Sequence, residues 1–260
     1  KIVIAQIAPA VRVALGEYFG MEPGTITTGQ IIAALRAIGF DKVYDTSFAA
    51  DLTVIEEATE FISRKLKGER LPQFTSCCPA WVKFAEQYYP EFLPNLSSCK
   101  SPQQMFGSLA KEVLPEKFDI EKKNLSVVSI MPCTAKKYEA KRDEFYNENI
   151  ADVDHVITTQ ELGRMIEEAG IKFHSLRPES FDMPLGFKTG AGVIFGNSGG
   201  VSEAALRFAV EKLTGKKLES VDFKEVRGKE GLRSAEFDVN NTNIKLAIVH
   251  GLANARKLAE

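Results

Sequence analysis

Four cysteines stand in the 260 residues, and two of them, Cys77 and Cys78, are adjacent. Neighbouring cysteines rarely bond one another, because the geometry strains the peptide between them. The pair therefore reads as two thiols. Pro79 follows at once and can open a helix, which predicts a strand-to-helix turn at the thiols. A helix N-terminus stabilises negative charge and so favours a metal-ligating thiolate. Cys133 repeats the arrangement in MPCTAKK, after the apolar run VVSI, with Lys136 three residues on. Lys136 is well placed to meet an anionic ligand, although Lys136, Lys137, Lys141 and Arg142 together also read as a solvated helix face. Cys99, in SSCKSP, reads as a small buried hydrophobe. Zinc fits poorly because no CxxC pair is present. Iron–sulfur ligation fits better, but such clusters take four thiolates. The residues alone thus describe an incomplete metal–thiolate site.

These groups need a frame to hold them. Short apolar runs predict strands at Ile2 to Ile7, Lys42 to Asp45, Gln73 to Ser76, Leu125 to Ile130, His155 to Thr158, Gly192 to Phe195 and Lys245 to Val249. Runs such as IVIA, VVSI and GVIF suit strands buried on both faces. Helical spacing appears at Thr28 to Ile38, at Ala49 to Lys67 (stripe Val54, Ala58, Phe61, Ile62) and at Val201 to Leu213. Strands alternating with helices predict an α/β fold with mostly parallel sheets. Phe181 to Gly192 reads as a long loop, and the Asn240-Asn241 pair as a hairpin turn. Ligands of such sheets sit beyond the carboxyl ends of strands. The predicted elements put both Ser76-Cys77-Cys78 and Met131-Pro132-Cys133 at such ends.

Composition excludes other classes. With 44% hydrophobic and 26% charged residues the chain is not disordered. The balance of 33 basic against 35 acidic residues gives no pull toward nucleic acid or anionic lipid. No run is long enough to span a bilayer. The opening KIVIAQIAPA lacks the features of a secretory leader, so the reading is a cytoplasmic protein. Both ends look abrupt, and the expectation is a piece of a longer chain. Gly196 to Gly200 lacks the spacing and the Lys of a phosphate loop.

TSCCPAW (Thr75 to Trp81) and MPCTAKKYEA (Met131 to Ala140) resemble the first two signature motifs of the [FeFe]-hydrogenase catalytic domain. The resemblance continues through TSFAADLTVIEEATEF (Thr46 to Phe61), SSCKSPQQMFG (Ser97 to Gly107) and GVIFGNSGGVSEAALR (Gly192 to Arg207), covering nearly the whole chain. It implies two lobes of flavodoxin-like sheets, divided near residue 150, with the H-cluster in the cleft between them. That cofactor is a [4Fe–4S] cubane joined to a two-iron subsite carrying CO, cyanide and a dithiolate amine. By motif match Cys78 and Cys133 are cubane ligands. The family's third motif, which carries the other two, is absent from this sequence. The resemblance makes Cys77 a proton-relay thiol, with protons passing on through Glu57, Ser97, Glu60 and Arg64. Read alone, Glu57 and Glu60 are solvent-facing; the resemblance reverses that for Glu57. It also implies that Lys136 bonds a cyanide, that Ser101, Gln103 and Met131 surround the subsite, and that Ala8, Pro9 and Phe195 line the pocket.

The leading expectation is therefore reversible interconversion of H2 with protons and electrons. The implied partners are a ferredoxin-like iron–sulfur carrier and a C-terminal segment or second chain with the remaining ligands. The alternative is a non-catalytic iron–sulfur scaffold or redox sensor of the same fold. A flavodoxin-like binding module with incidental cysteines is a third reading, against which the clustering at predicted strand ends counts.

Overall fold

The computed structural model describes residues 1–185, 189–196, 199–215, 224–225, 231–239 and 242–259. The elements run β1 (Ile2–Ile7), α1 (Val11–Tyr18), α2 (Thr28–Ile38), β2 (Lys42–Asp45), α3 (Thr46–Lys67), α4 (Pro79–Tyr88), α5 (Pro102–Phe118) and β3 (Leu125–Met131). They continue with α6 (Ala135–Glu139), β4 (Tyr146–Asn147), β5 (Ile150–Ala151), β6 (His155–Thr158), α7 (Thr159–Glu168), α8 (Gly190–Ile194) and α9 (Gly200–Thr214). The last are β7 (Lys224–Glu225), β8 (Leu232–Val239), β9 (Thr242–Val249) and α10 (Leu252–Ala259). The chain divides into two compact units, Lys1–Leu52 with Lys100–Gly196 and Thr53–Cys99 with Asn197–Glu260. A single cut near residue 150 does not describe this division, because β6 lies beyond that point and pairs with β3 in the first unit.

In the first unit β2, β1, β3 and β6 form a parallel sheet in that order. This is the mixed α/β class expected from strands alternating with helices. Alternate strand residues feed opposite layers. Ala5, Ile7, Val43, Val128 and Ile130 pack with Val11 and Leu15 of α1, Ile31 and Leu35 of α2 and Leu162 of α7. Ile4, Tyr44, Leu125 and Val127 pack with Phe106, Ala110 and Leu114 of α5. Each large apolar side chain so buried contributes about 1.5–3 kcal/mol, which is why IVIA is apolar throughout and VVSI is broken only by Ser129, whose hydroxyl accepts from Gln6 Nε2. The register pairs Ile7 with both Asp45 and Ile130, and Met131 with Thr158. The carboxyl ends therefore finish level. A further bond from Ala8 N to the Ile130 carbonyl (3.0 Å) holds Ala8-Pro9 beside the end of β3.

In the second unit α9 packs on a hairpin of β8 and β9: Leu206, Val210, Ala235 and Ile244 are buried together, with Phe61 of α3 against them. Here the sheet β7-β8-β9 is antiparallel, the exception among mostly parallel sheets and in keeping with the hairpin expected between Phe237 and Val249. The reason is connection length: β8 and β9 are separated by residues 240–241 alone, too few for a parallel crossover. That Asn pair, residues 186–188 of the expected loop and residues 197–198 of the GNSGG stretch lie outside the described residues.

Two other expectations give way. Gly192 to Phe195 is not a strand; residues 190–194 are α8. Thr189 caps it, its hydroxyl accepting from Ala191 N (3.1 Å), while the Asp51 carboxylate accepts from Gly192 N (2.7 Å) and the Thr189 hydroxyl (2.7 Å). Satisfying these amides outweighs the strand preference of Val193 and Ile194. Gln73 to Ser76 shrinks to one parallel bridge, Phe74 to Leu96.

One glycine marks a close approach. A Cβ at Gly107 of α5 would lie 2.5 Å from the Asp152 carbonyl oxygen and 2.7 Å from Val153 Cγ2. Gly107→Ala is expected to lower stability by about 1–3 kcal/mol in urea denaturation. Gly190→Ala, whose Cβ meets nothing within 4 Å, serves as the control. Equal effects at the two positions would contradict this packing.

Candidate functional site

The second unit gathers six of the expected residues, Glu57, Glu60, Arg64, Cys77, Cys78 and Ser97. On α3, Val54 and Ala58 are buried, and Glu57 lies between them only 3% exposed. Glu60, one turn on, collects the donors. Its Oε2 accepts from Ser97 Oγ (2.7 Å) and Ser98 N (3.0 Å), and its Oε1 from Arg64 Nη2 (2.6 Å) and Ser98 Oγ (3.1 Å). Arg64 is itself pinned, donating to the carbonyls of Leu96 (2.7 Å), Asn95 (3.0 Å) and Arg70 (3.3 Å). The solvent-facing reading fails for both carboxylates, because Ser97 and Ser98 arrive from a segment that the helical spacing of α3 cannot reveal.

The two carboxyl groups are driven apart. Burial, reinforced by the neighbouring Glu60 charge, pushes Glu57 up to about 7, against a smaller opposing effect of its hydrogen bond with Ser97. Its Oε1 is buried and has no hydrogen-bond partner among the described residues. Burial also raises Glu60, but the bonds from Ser97 and Arg64, the Arg64 charge and Ser98 N outweigh it and leave Glu60 below its ordinary value.

Cys77 is half-buried, and Cys78 is exposed at the N-cap of α4, with Pro79 opening the helix as the sequence predicts. No strand precedes them. The segment is stitched instead by Gln73 Nε2 to the Glu57 carbonyl (3.2 Å) and Ser76 Oγ to the Cys99 carbonyl (2.7 Å). Cys99 is pushed up to about 12 by burial and then by Glu57, Glu56, Glu60 and Cys77, which keeps it a thiol.

The first unit gathers a second group. Cys133 is exposed in the turn after β3, as expected for a strand end. Three residues on, Lys136 Nζ meets both oxygens of Glu139 (3.0 and 3.2 Å). Glu139 Oε2 also accepts from Ser101 Oγ (3.0 Å) and Gln103 Nε2 (3.0 Å), and the same Nε2 donates to the Lys136 carbonyl (3.2 Å). Glu139 is only 3% exposed, and the sequence reading passed over it. The one available signal was its i, i+3 spacing from Lys136. Met131 and Ala8 are buried at the sheet edge. The turn of Phe195 and Gly196 lies against Pro9, whose Cβ is 3.5 Å from a Cβ built on Gly196. The solvated-face reading fails for Lys136. Lys137 pairs with Glu161 (2.6 Å) and Arg142 with Glu144 (2.5 Å).

These donors suit an iron–sulfur group. None of the four cysteines forms a disulfide, and both expected ligands, Cys78 and Cys133, expose their thiols. Among the described residues no three His, Cys, Asp or Glu side chains converge as a metal site.

Residues 1–260 match the family described as the iron-only hydrogenase large subunit, C-terminal domain. The chain is 52% identical to the NADP-reducing hydrogenase subunit HndD of Solidesulfovibrio fructosivorans over 99% of its own length and 45% of the relative's. It is 50% identical to the periplasmic [Fe] hydrogenase large subunit of Nitratidesulfovibrio vulgaris, covering 99% and 62% respectively. A cytosolic Fe-S cluster assembly factor, narfl, of Xenopus tropicalis is 31% identical, covering 100% and 56%. The chain thus spans about half the length of the curated relatives it matches. The solved HydA(ΔEFG), a structure of stepwise [FeFe]-hydrogenase H-cluster assembly, superposes with a TM-score of 0.89 at 41% identity, over 99% of this chain and 72% of that one.

The Glu57 shift carries a stability signature. A carboxyl raised from 4.5 to about 7 binds its proton more tightly folded than unfolded. Its contribution therefore falls as pH rises from the ordinary carboxylate range to about 7, then levels off. Glu57→Gln removes that fall. Relative to wild type, the variant is expected to gain up to roughly 3 kcal/mol between pH 4 and pH 8 in denaturant titrations. A constant difference across that range would contradict the shift.

Proposed function

Because this chain belongs to the family of the iron-only hydrogenase large subunit, C-terminal domain, we propose that its parent protein is a hydrogenase. It interconverts H2 with two protons and two electrons at an H-cluster. The observation that carries the reading is the buried Glu57 carboxyl, poised near 7 and linked through Ser97 to an ionised Glu60. A pair of carboxyls split in this way can hand protons on near neutral pH. The bound cluster supplies the redox chemistry of hydrogen. By motif match Cys78 and Cys133 would be the ligands from this chain, and both are exposed. The other two thiolates come from polypeptide outside this sequence.

The chain's own residues then handle protons. Cys77 Sγ–H would hold the proton on the chain's side of the bound cofactor. Glu57 exchanges with it from the protonated side of its equilibrium. Ser97 has one hydroxyl proton, and it donates that proton to Glu60 Oε2 (2.7 Å). Its oxygen faces Glu57 as an acceptor when that carboxyl is protonated, and the hydroxyl turns to donate to Glu57 when it is ionised, so a concerted shift moves one proton between Glu57 and Glu60. Arg64, anchored by three carbonyls, does not carry the proton; it holds Glu60 ionised and the 95–97 segment in place. In the first unit Lys136 offers an ammonium to an anionic ligand, with Ser101, Gln103, Met131, Ala8, Pro9 and Phe195 shaping the surroundings.

Electrons pass to and from a ferredoxin-like iron–sulfur carrier, fused or separate. No helix among the described residues is long and apolar enough to cross a membrane. One relative is named as periplasmic, so the cytoplasmic expectation does not carry over. Relatives named as assembly factors keep a scaffold role as the alternative. The split carboxyl pair of Glu57 and Glu60, linked through Ser97, suits proton transfer and favours catalysis.

In the full-length protein, matured with its cofactor, Cys77→Ala is expected to cut H2 turnover by at least about a hundredfold while iron content stays unchanged. Normal turnover would refute the relay. Cys133→Ser is expected to lower cubane iron sharply; full iron content would remove it from the ligand set.

A further inference from the structure

Three side chains of the first unit converge on Glu139. Its Oε2 takes hydrogen bonds from Ser101 Oγ, Gln103 Nε2 and Lys136 Nζ, each at 3.0 Å. The geometry leaves these donors little freedom. Gln103 points Nε2 at two acceptors, Glu139 Oε2 and the Lys136 carbonyl, so a flipped amide would set oxygen against oxygen. Its Oε1 is consequently fixed as well, buried and without a hydrogen-bond partner among the described residues. The Gln103 carbonyl is tied to Gln6 Nε2 (3.0 Å), which also donates to Ser129 Oγ (2.8 Å), and Gln6 Oε1 accepts from Thr46 Oγ1 (3.0 Å). Ser101 is meanwhile the N-cap of α5. The group is thus anchored to the sheet and to the start of a 17-residue helix.

A buried ion pair is a poor route to stability, because desolvation offsets its attraction. The Lys136–Glu139 side chains are 13% and 4% exposed. What such a pair does well is fix a charge in space. The neutral donors Ser101 and Gln103 spread the negative charge of Glu139. The ammonium therefore keeps an attraction for a second anion that a simple one-to-one pair would have cancelled.

We propose that Glu139 is the positioning residue of this site, holding Lys136, Ser101 and Gln103 ready for an anionic ligand of the bound cofactor. The inference rests on the function proposed above and adds a residue to it. Glu139 acts through Lys136 and touches no reacting atom.

The test uses full-length protein already loaded with its cubane, to which a synthetic di-iron dithiolate complex bearing CO and cyanide is added. Uptake of the complex is followed as bound iron, and its cyanide stretching bands by infrared spectroscopy. Glu139→Gln is expected to reduce uptake about tenfold and to shift the cyanide bands, with cubane absorbance unchanged. Combined with Lys136→Met it is expected to add nothing further, since it acts through that residue. Glu139→Asp, which keeps the charge, is expected to restore most of the uptake. Unshifted bands with normal uptake would overturn the proposal, and so would additive effects of Glu139→Gln and Lys136→Met. Equal losses in the Gln and Asp variants, accompanied by a lowered melting temperature, would make the role structural and also overturn it. Failure of the wild type to take up the complex would instead overturn the functional reading on which the proposal rests.

Discussion

Two carboxylates one helical turn apart cannot share a buried site as anions without a large penalty. The second unit resolves this by giving nearly all of its donors to one of them. Glu60 receives Arg64, Ser97 and both donors of Ser98, and it stays ionised. Glu57 receives little, and burial holds its proton to about 7. The polar contacts around α3 serve this unequal sharing. The 95–98 segment must return to α3, Arg64 must be pinned by carbonyls, and the thiol segment must be stitched to Glu57 and Cys99 from the other side.

The first unit applies the same principle at a sheet edge. Level strand ends place Met131 at the last position of β3, with Ala8 and Cys133 just beyond the parallel sheet, where ligands of such sheets sit. A buried carboxylate, Glu139, again organises the polar groups, and here it fixes a cation. Each unit therefore combines a thiol with a preorganised charged group: Cys77 with the split carboxyls, Cys133 with the Lys136–Glu139 pair.

Much of the frame was legible from local pattern. The limits of β1, β2, β6 and α2 follow from apolar runs and helical spacing, and Pro79 correctly announced the start of α4. GVIF misled because its conformation is decided at a distance, by the Asp51 carboxylate on the α8 amides. The polar core was hidden for the same reason. Glu60 and Glu139 sit among charged neighbours in sequence, and their partners Ser97 and Ser101 come from 37 and 38 residues away. Periodicity reports which face of a helix is apolar. It does not report where a distant loop will place a hydroxyl against the polar face. The motif resemblance supplied Glu57, Ser97 and Glu60, and it passed over Glu139.

The central claim is that Glu57 remains a neutral acid well above the ordinary carboxylate range. Its most direct test is a pH series of difference infrared spectra on the full-length protein, reading the carboxylic acid C=O band that Glu57→Gln removes. The account predicts a band that shifts in D2O and is lost with an apparent pKa of about 7. A band already lost near pH 4.5, the ordinary value for Glu, would contradict it.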